Sequence, residues 1–108
     1  MANYLLFESQ EPFESAEVQR HYELAAGLMR EGNQVTVFLI QNGVLAARRS
    51  EASQGLAALA RAGVLVLADD FSLKERGIPP SRLAEAVKIA SLDQAVDQIA
   101  EGRKALWF

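Results

Sequence analysis

A three-layer α/β/α sandwich around a mostly parallel sheet of five strands is the fold this sequence predicts, and three observations predict it. Short, almost wholly apolar runs recur five times, the second of them rich in β-branched residues. Between them lie segments whose apolar residues repeat at three-to-four spacing. The connections have the length of crossovers, which makes neighbouring strands parallel.

The first strand is Tyr4–Phe7, ended by the polar stretch Glu8-Ser9-Gln10-Glu11 and by Pro12. A helix is predicted from about Phe13 to Arg30, because Val18, Tyr22, Ala25/Ala26 and Leu28/Met29 share one face and Gly32-Asn33 closes it. Gln34–Gln41, with VTVFLI at its centre, reads as a central strand covered on both faces, and Asn42-Gly43 ends it. The alanine- and leucine-rich stretches Val44–Arg49 and Ser53–Ala62 that follow favour a strand-to-helix turn over a hairpin.

Gly63 is placed to cap the second helix before the strand Val64–Leu67. That strand runs into Asp69-Asp70 and a short helix closed by Gly77. Pro79-Pro80-Ser81 opens another predicted helix, Arg82–Ala86, and Val87–Ala90 is the fourth strand. Ser91 and Gln94 match the capping-box spacing for a helix through Ile99, closed by Gly102. Ala105–Phe108 is the fifth strand. The loops Glu8–Pro12, Gln41–Gly43 and Asp69–Phe71 are then expected along one edge, where open α/β sheets carry their sites.

One domain, residues 1–108, is the natural unit for this length, and 50% hydrophobic residues supply its core. A net charge of −3 gives no basic field, so nucleic acid is not an expected partner. Cysteine is absent, which excludes disulfides, thiolate metal sites and a cysteine nucleophile. The opening MANYLLFESQ has no basic region of the signal-peptide kind, and no apolar run approaches the roughly 20 residues of a membrane span. A cytoplasmic protein without membrane contact is expected, and no cofactor signature is visible.

Three stretches carry a family likeness: VTVFLIQNGVLAAR at 35–48, VLVLADDFSLKERGI at 64–78 and the terminal KALWF. In their order and spacing the chain resembles the DsrE/TusD-like family of small sulfur-relay proteins. The resemblance implies a doubly wound fold and assembly into dimers, trimers or hexamers. In active members it also implies a cysteine, near the start of the loop after the third or fourth strand, that carries sulfur as a persulfide. Counting back from Arg76-Gly77 puts that position at or near Asp69, and no cysteine elsewhere replaces it. The family's relay chemistry does not carry over; non-thiol members stand as partner subunits or have other roles.

The candidate ligand-binding residues are Glu8, Asn42, Gly43, Asp69 and Asp70. Two adjacent carboxylates can hold a cation or share a proton. Equally, one of them can cap the short helix, and that reading is preferred because aspartate is a favoured N-cap. Asn42-Gly43 can present backbone N–H groups to an anion, or form a tight turn and nothing more. His21, the only histidine, lies among Gln19, Arg20 and Glu23 and reads as part of an exposed helix face. Arg48 and Arg49 read as a solvated helix face, with a negatively charged partner or ligand near the Asn42 loop as the alternative. Trp107-Phe108 read as core, with a subunit interface as the alternative.

Two functions follow. One is an accessory or structural DsrE-like subunit, a homo-oligomer or a hetero-oligomer with a thiol-bearing homologue, in intracellular sulfur metabolism. The other is a small-ligand or metal-binding protein, or an enzyme, using the pocket near Asn42 and Asp69. The chain shows no complete catalytic set, so an enzyme is the less favoured reading. A receiver-like signalling domain is disfavoured because no lysine follows the last strand.

Overall fold

The computed structural model describes residues 2–108. Its strands are β1 (Asn3–Glu8), β2 (Gln34–Leu39), β3 (Leu65–Asp69), β4 (Val87–Ala90) and β5 (Lys104–Trp107). The α-helices are α1 (Glu17–Arg30), α2 (Gln54–Arg61), α3 (Asp70–Glu75) and α4 (Leu92–Ala100). The sheet order is β4-β3-β2-β1-β5 and every neighbouring pair is parallel. All five carboxyl ends therefore lie on one edge.

From β1 the chain steps outward to β4, then α4 carries it back to the far side of β1. Strand order thus reverses at β1, and the covering layer changes face with it. Alternation along the strands fills both faces. On one, Leu6, Val37 and Val66 meet Val18, Tyr22 and Ala25 of α1 and Leu56 and Leu59 of α2. On the other, Leu5, Phe7, Phe38 and Leu67 meet α4, which buries Ala95. Leu92, Val96 and Ile99 of α4 stay exposed.

Three local expectations give way to tertiary bonds. The first helix begins at Glu17, because residues before it fold around Glu11, whose carbonyl accepts from the Glu14 and Ser15 N–H groups. The stretch after β2 is a 3-10 helix, Gln41–Ala47, ended where Arg48 forms an antiparallel bridge with Leu83. The same bridge removes the predicted helix Arg82–Ala86, leaving one 3-10 turn, Pro80–Arg82. The N–H of Ala84 donates to the Ala47 carbonyl at 2.9 Å, and that of Arg49 to the Arg82 carbonyl at 2.8 Å.

Smaller corrections concern side chains. Ser91 occupies the N-cap position of α4 but makes no side-chain cap bond; its carbonyl accepts from the Gln94 N–H instead. Trp107, read as core, is 58% exposed although its ring lies 5.0 Å from that of Phe7, because β5 is an edge strand. Phe108 does pack against the core.

Candidate functional site

Glu8 is the last residue of β1, at the carboxyl edge where the strand order reverses. Open parallel sheets place ligands at such points. Its carboxylate is buried, with a side chain 2% exposed, and its Oε1 lies 2.5 Å from His21 Nδ1 in the second turn of α1. Oε2 accepts from the Gln10 N–H at 3.3 Å. Burial raises the Glu8 pKa above its usual 4.5, and the bonds to His21 and Gln10 oppose that rise without cancelling it. A single proton serves the pair: either imidazole N–H donates to the carboxylate, or a neutral carboxyl O–H donates to the ring.

The pair is enclosed. His21 stacks on the Phe108 ring, with centroids 4.1 Å apart and planes 16° apart. Phe108 is fixed in turn, its N–H donating to the Phe7 carbonyl at 2.8 Å while Ser9 donates to its carbonyl from N–H and Oγ. Beside them lies Tyr22, whose buried hydroxyl has no hydrogen-bond partner among the described residues. Burial and the nearby Glu8 charge push this phenol well above its usual 10.0. The space between Glu8, His21, Tyr22 and Phe108 is too narrow for a water molecule.

His21 is therefore not on an exposed face. It stands three residues after Val18 and four before Ala25, both fully buried, so helical spacing turns it toward the sheet and Glu8 supplies the partner that burial requires.

A second polar cluster occupies the same edge between β2 and β3. Asp69 is buried at the end of β3 and is the N-cap of α3, its Oδ2 accepting from Ser72 N–H at 3.0 Å and Ser72 Oγ at 2.7 Å. Ser72 Oγ accepts from the Gln41 N–H at 2.9 Å, which ties α3 to the 3-10 helix. Asn42 is exposed and its Oδ1 accepts from Arg76 Nε at 3.1 Å. Asp70 is half-buried in the first turn of α3. Gly43 is buried, and any Cβ there would overlap the Glu8 carbonyl, which accepts from the Ile40 N–H at 3.0 Å. Glycine is needed for this close approach of backbones.

The structure thus links Asp69 to Asn42 through Ser72 and Arg76, and sets Gly43 against the backbone of Glu8. His21, Tyr22, Phe108, Ser72 and Arg76 are the residues that sequence reasoning did not assign to the edge. No group of three or more metal-ligating side chains occurs among the described residues.

With fold and edge defined, the class is clear. The sequence profile of the DsrE/DsrF-like family matches residues 2–108, and the chain belongs to that family. Among solved structures it is similar to the ychN protein from E. coli, at TM-score 0.89 and 22% identity over 100% of both chains. It is also similar to MTH1491 from Methanobacterium thermoautotrophicum, a protein of unknown function, at 0.85 and 24% over 100% of both. BT1422 from Bacteroides thetaiotaomicron, also of unknown function, aligns at 0.78 and 13%, covering 97% of this chain and 94% of its own. No curated protein matches the sequence.

Proposed function

We propose that this protein is a DsrE-family subunit that carries no sulfur itself and acts by assembly, with copies of itself or with a cysteine-bearing homologue, in cytoplasmic sulfur transfer. The observation that carries the reading is Asp69. The family resemblance puts the persulfide cysteine at or near this position; here the side chain is a carboxylate, and its Oδ2 accepts two bonds from Ser72. A carboxylate cannot form a persulfide, and the chain contains no cysteine. Support for assembly comes from Leu92, Val96, Ile99 and Trp107, exposed on the face that α4 covers. No helix among the described residues is long and apolar enough to cross a membrane.

Light scattering and native mass spectrometry of the purified chain test this, alone and mixed with a purified cysteine-bearing DsrE-family protein from the same source. A dimer, trimer or hexamer, or a stoichiometric mixed complex, is the expected result. A monomer that ignores the cysteine-bearing protein overturns the proposal.

The second reading is a small-ligand or metal site at the carboxyl edge, using Glu8, Asn42, Gly43, Asp69 and Asp70. The observation in its favour is the Glu8–His21 pair, since carboxyls with raised pKa values gather at functional sites. Calorimetry with divalent metal ions and small anions tests it. Binding lost in Glu8→Gln supports the reading, and no heat from any of them overturns it.

A further inference from the structure

A cavity of about 460 Å³ that shares no residue with the Glu8 and Asp69 clusters is lined by Phe13, Arg48, Arg49, Ser50 and Arg82. Its residues come from three segments: the loop after β1, the turn after the 3-10 helix Gln41–Ala47, and the 3-10 turn Pro80–Arg82. The bridge between Arg48 and Leu83 holds the last two together, and the Arg49 guanidinium donates to the Ser81 carbonyl. The arginine-bearing backbone is thus fixed before any ligand arrives. Phe13 is positioned as well, its N–H donating to Glu11 Oε2 at 3.0 Å, while its ring is 75% exposed.

None of the three arginines forms an ion pair with a carboxylate among the described residues. Three guanidinium groups around one cavity repel one another, in a chain whose net charge is −3. An anion in the cavity removes that repulsion and uses the forked donors that arginine offers to phosphate-like oxygens. A lone oxyanion would leave most of this space empty, since the volume lies in the range of sites for organic ligands. Phe13 offers a free ring face on which a planar group can stack.

We propose that this cavity binds an organic anion that joins a phosphate-type group, held by Arg48, Arg49 and Arg82, to a planar ring stacked on Phe13. This assignment is independent of the sulfur-related reading, because none of these residues belongs to the Glu8 or Asp69 clusters.

The test is calorimetric titration of the full chain with ADP, pyrophosphate and adenosine, at low and at physiological salt. ADP is expected to bind more tightly than pyrophosphate, adenosine not to bind, and the ADP affinity to fall with added salt. Arg48→Gln and Arg82→Gln should each weaken ADP roughly tenfold, the scale of one charged hydrogen bond. Both side chains are exposed, so thermal melts should match the native chain. Phe13→Ala should weaken ADP about fivefold and leave pyrophosphate unchanged. Absence of ADP binding at millimolar concentration overturns the proposal. So does ADP binding that survives the Arg48→Gln/Arg82→Gln double substitution, or equal affinity for ADP and pyrophosphate with no effect of Phe13→Ala.

Discussion

Two buried carboxylates end two strands of the same sheet, and they are held in opposite ways. Asp69 closes β3 and is satisfied three residues onward, by the N–H and hydroxyl of Ser72. Glu8 closes β1 and is held by His21, thirteen residues away on another element, with Phe108 stacked behind the imidazole. Both donors to Asp69 come from Ser72 in the first turn of α3, so Asp69 is a structural cap. Burial raises the Glu8 pKa above its usual 4.5, so Glu8 is the carboxylate whose proton binding the fold alters. One edge of the sheet therefore carries a locally capped end and, at Glu8, a titrating end, and Gly43 packs its backbone against that of Glu8.

That contact is where the largest effect is expected. Gly43→Ala forces a methyl group into the Glu8 carbonyl and displaces the Ile40 N–H bond to it. A loss of about 3 kcal/mol is expected by analogy with overpacked cores. Urea unfolding measures it. A variant as stable as the native chain would show that the fold does not depend on this contact.

Next is Asp69→Ala, which removes the cap of α3 and the bond that orders Ser72. The expected cost is about 1–2 kcal/mol, while Asp69→Asn, which keeps an acceptor oxygen, should recover most of it. Equal losses in the two variants would mean that Asp69 acts through its charge and not as a cap, which would erase the contrast with Glu8.

The contrast explains which parts of the molecule could be read from the sequence. That one carboxylate of the Asp69-Asp70 pair caps α3 is legible, because a cap and its donor lie within one turn of chain; that it is Asp69 is not, since the helix starts at Asp70, one residue before the expected Phe71. The strands were legible for a similar reason: runs such as VTVFLI declare burial on both faces without reference to any partner. The Glu8–His21–Phe108 stack was not, since its members are far apart in sequence and only the closing of β1 between α1 and β5 brings them together. One signal is present: Val18 and Ala25, the apolar neighbours of His21 at helical spacing, mark a face toward the sheet, although the adjacent Gln19, Arg20 and Glu23 are polar. The helix expected at Arg82–Ala86 failed because its backbone groups are claimed by Ala47 and Arg49, thirty and more residues earlier.

The pH dependence sharpens the comparison further. Folding raises the Glu8 pKa above 4.5, so the stabilisation from its uncharged form is complete below the unfolded value and is lost as pH rises through the folded value. Glu8→Gln cannot ionise and does not suffer this loss. The stability difference should therefore move in favour of Glu8→Gln as pH is raised from acid to neutral, measured by urea midpoints at each pH. Parallel stability curves for the two chains would sink the idea that Glu8 is the titrating end.

The smallest effect expected separates the two terminal rings. Phe108 stacks on His21, while Trp107, one residue earlier on the edge strand, lies against Phe7 on the other face and is largely exposed. Phe108→Leu should cost about 1 kcal/mol from the lost ring pair and shift the His21 imidazole signals in NMR spectra, because a ring current is removed and solvent gains access. Trp107→Leu should leave those signals in place. If both substitutions move them equally, the imidazole senses the end of β5 as a whole and not the Phe108 ring, and the enclosure of the Glu8–His21 pair would have to be assigned to the backbone of Ser9 and Phe108.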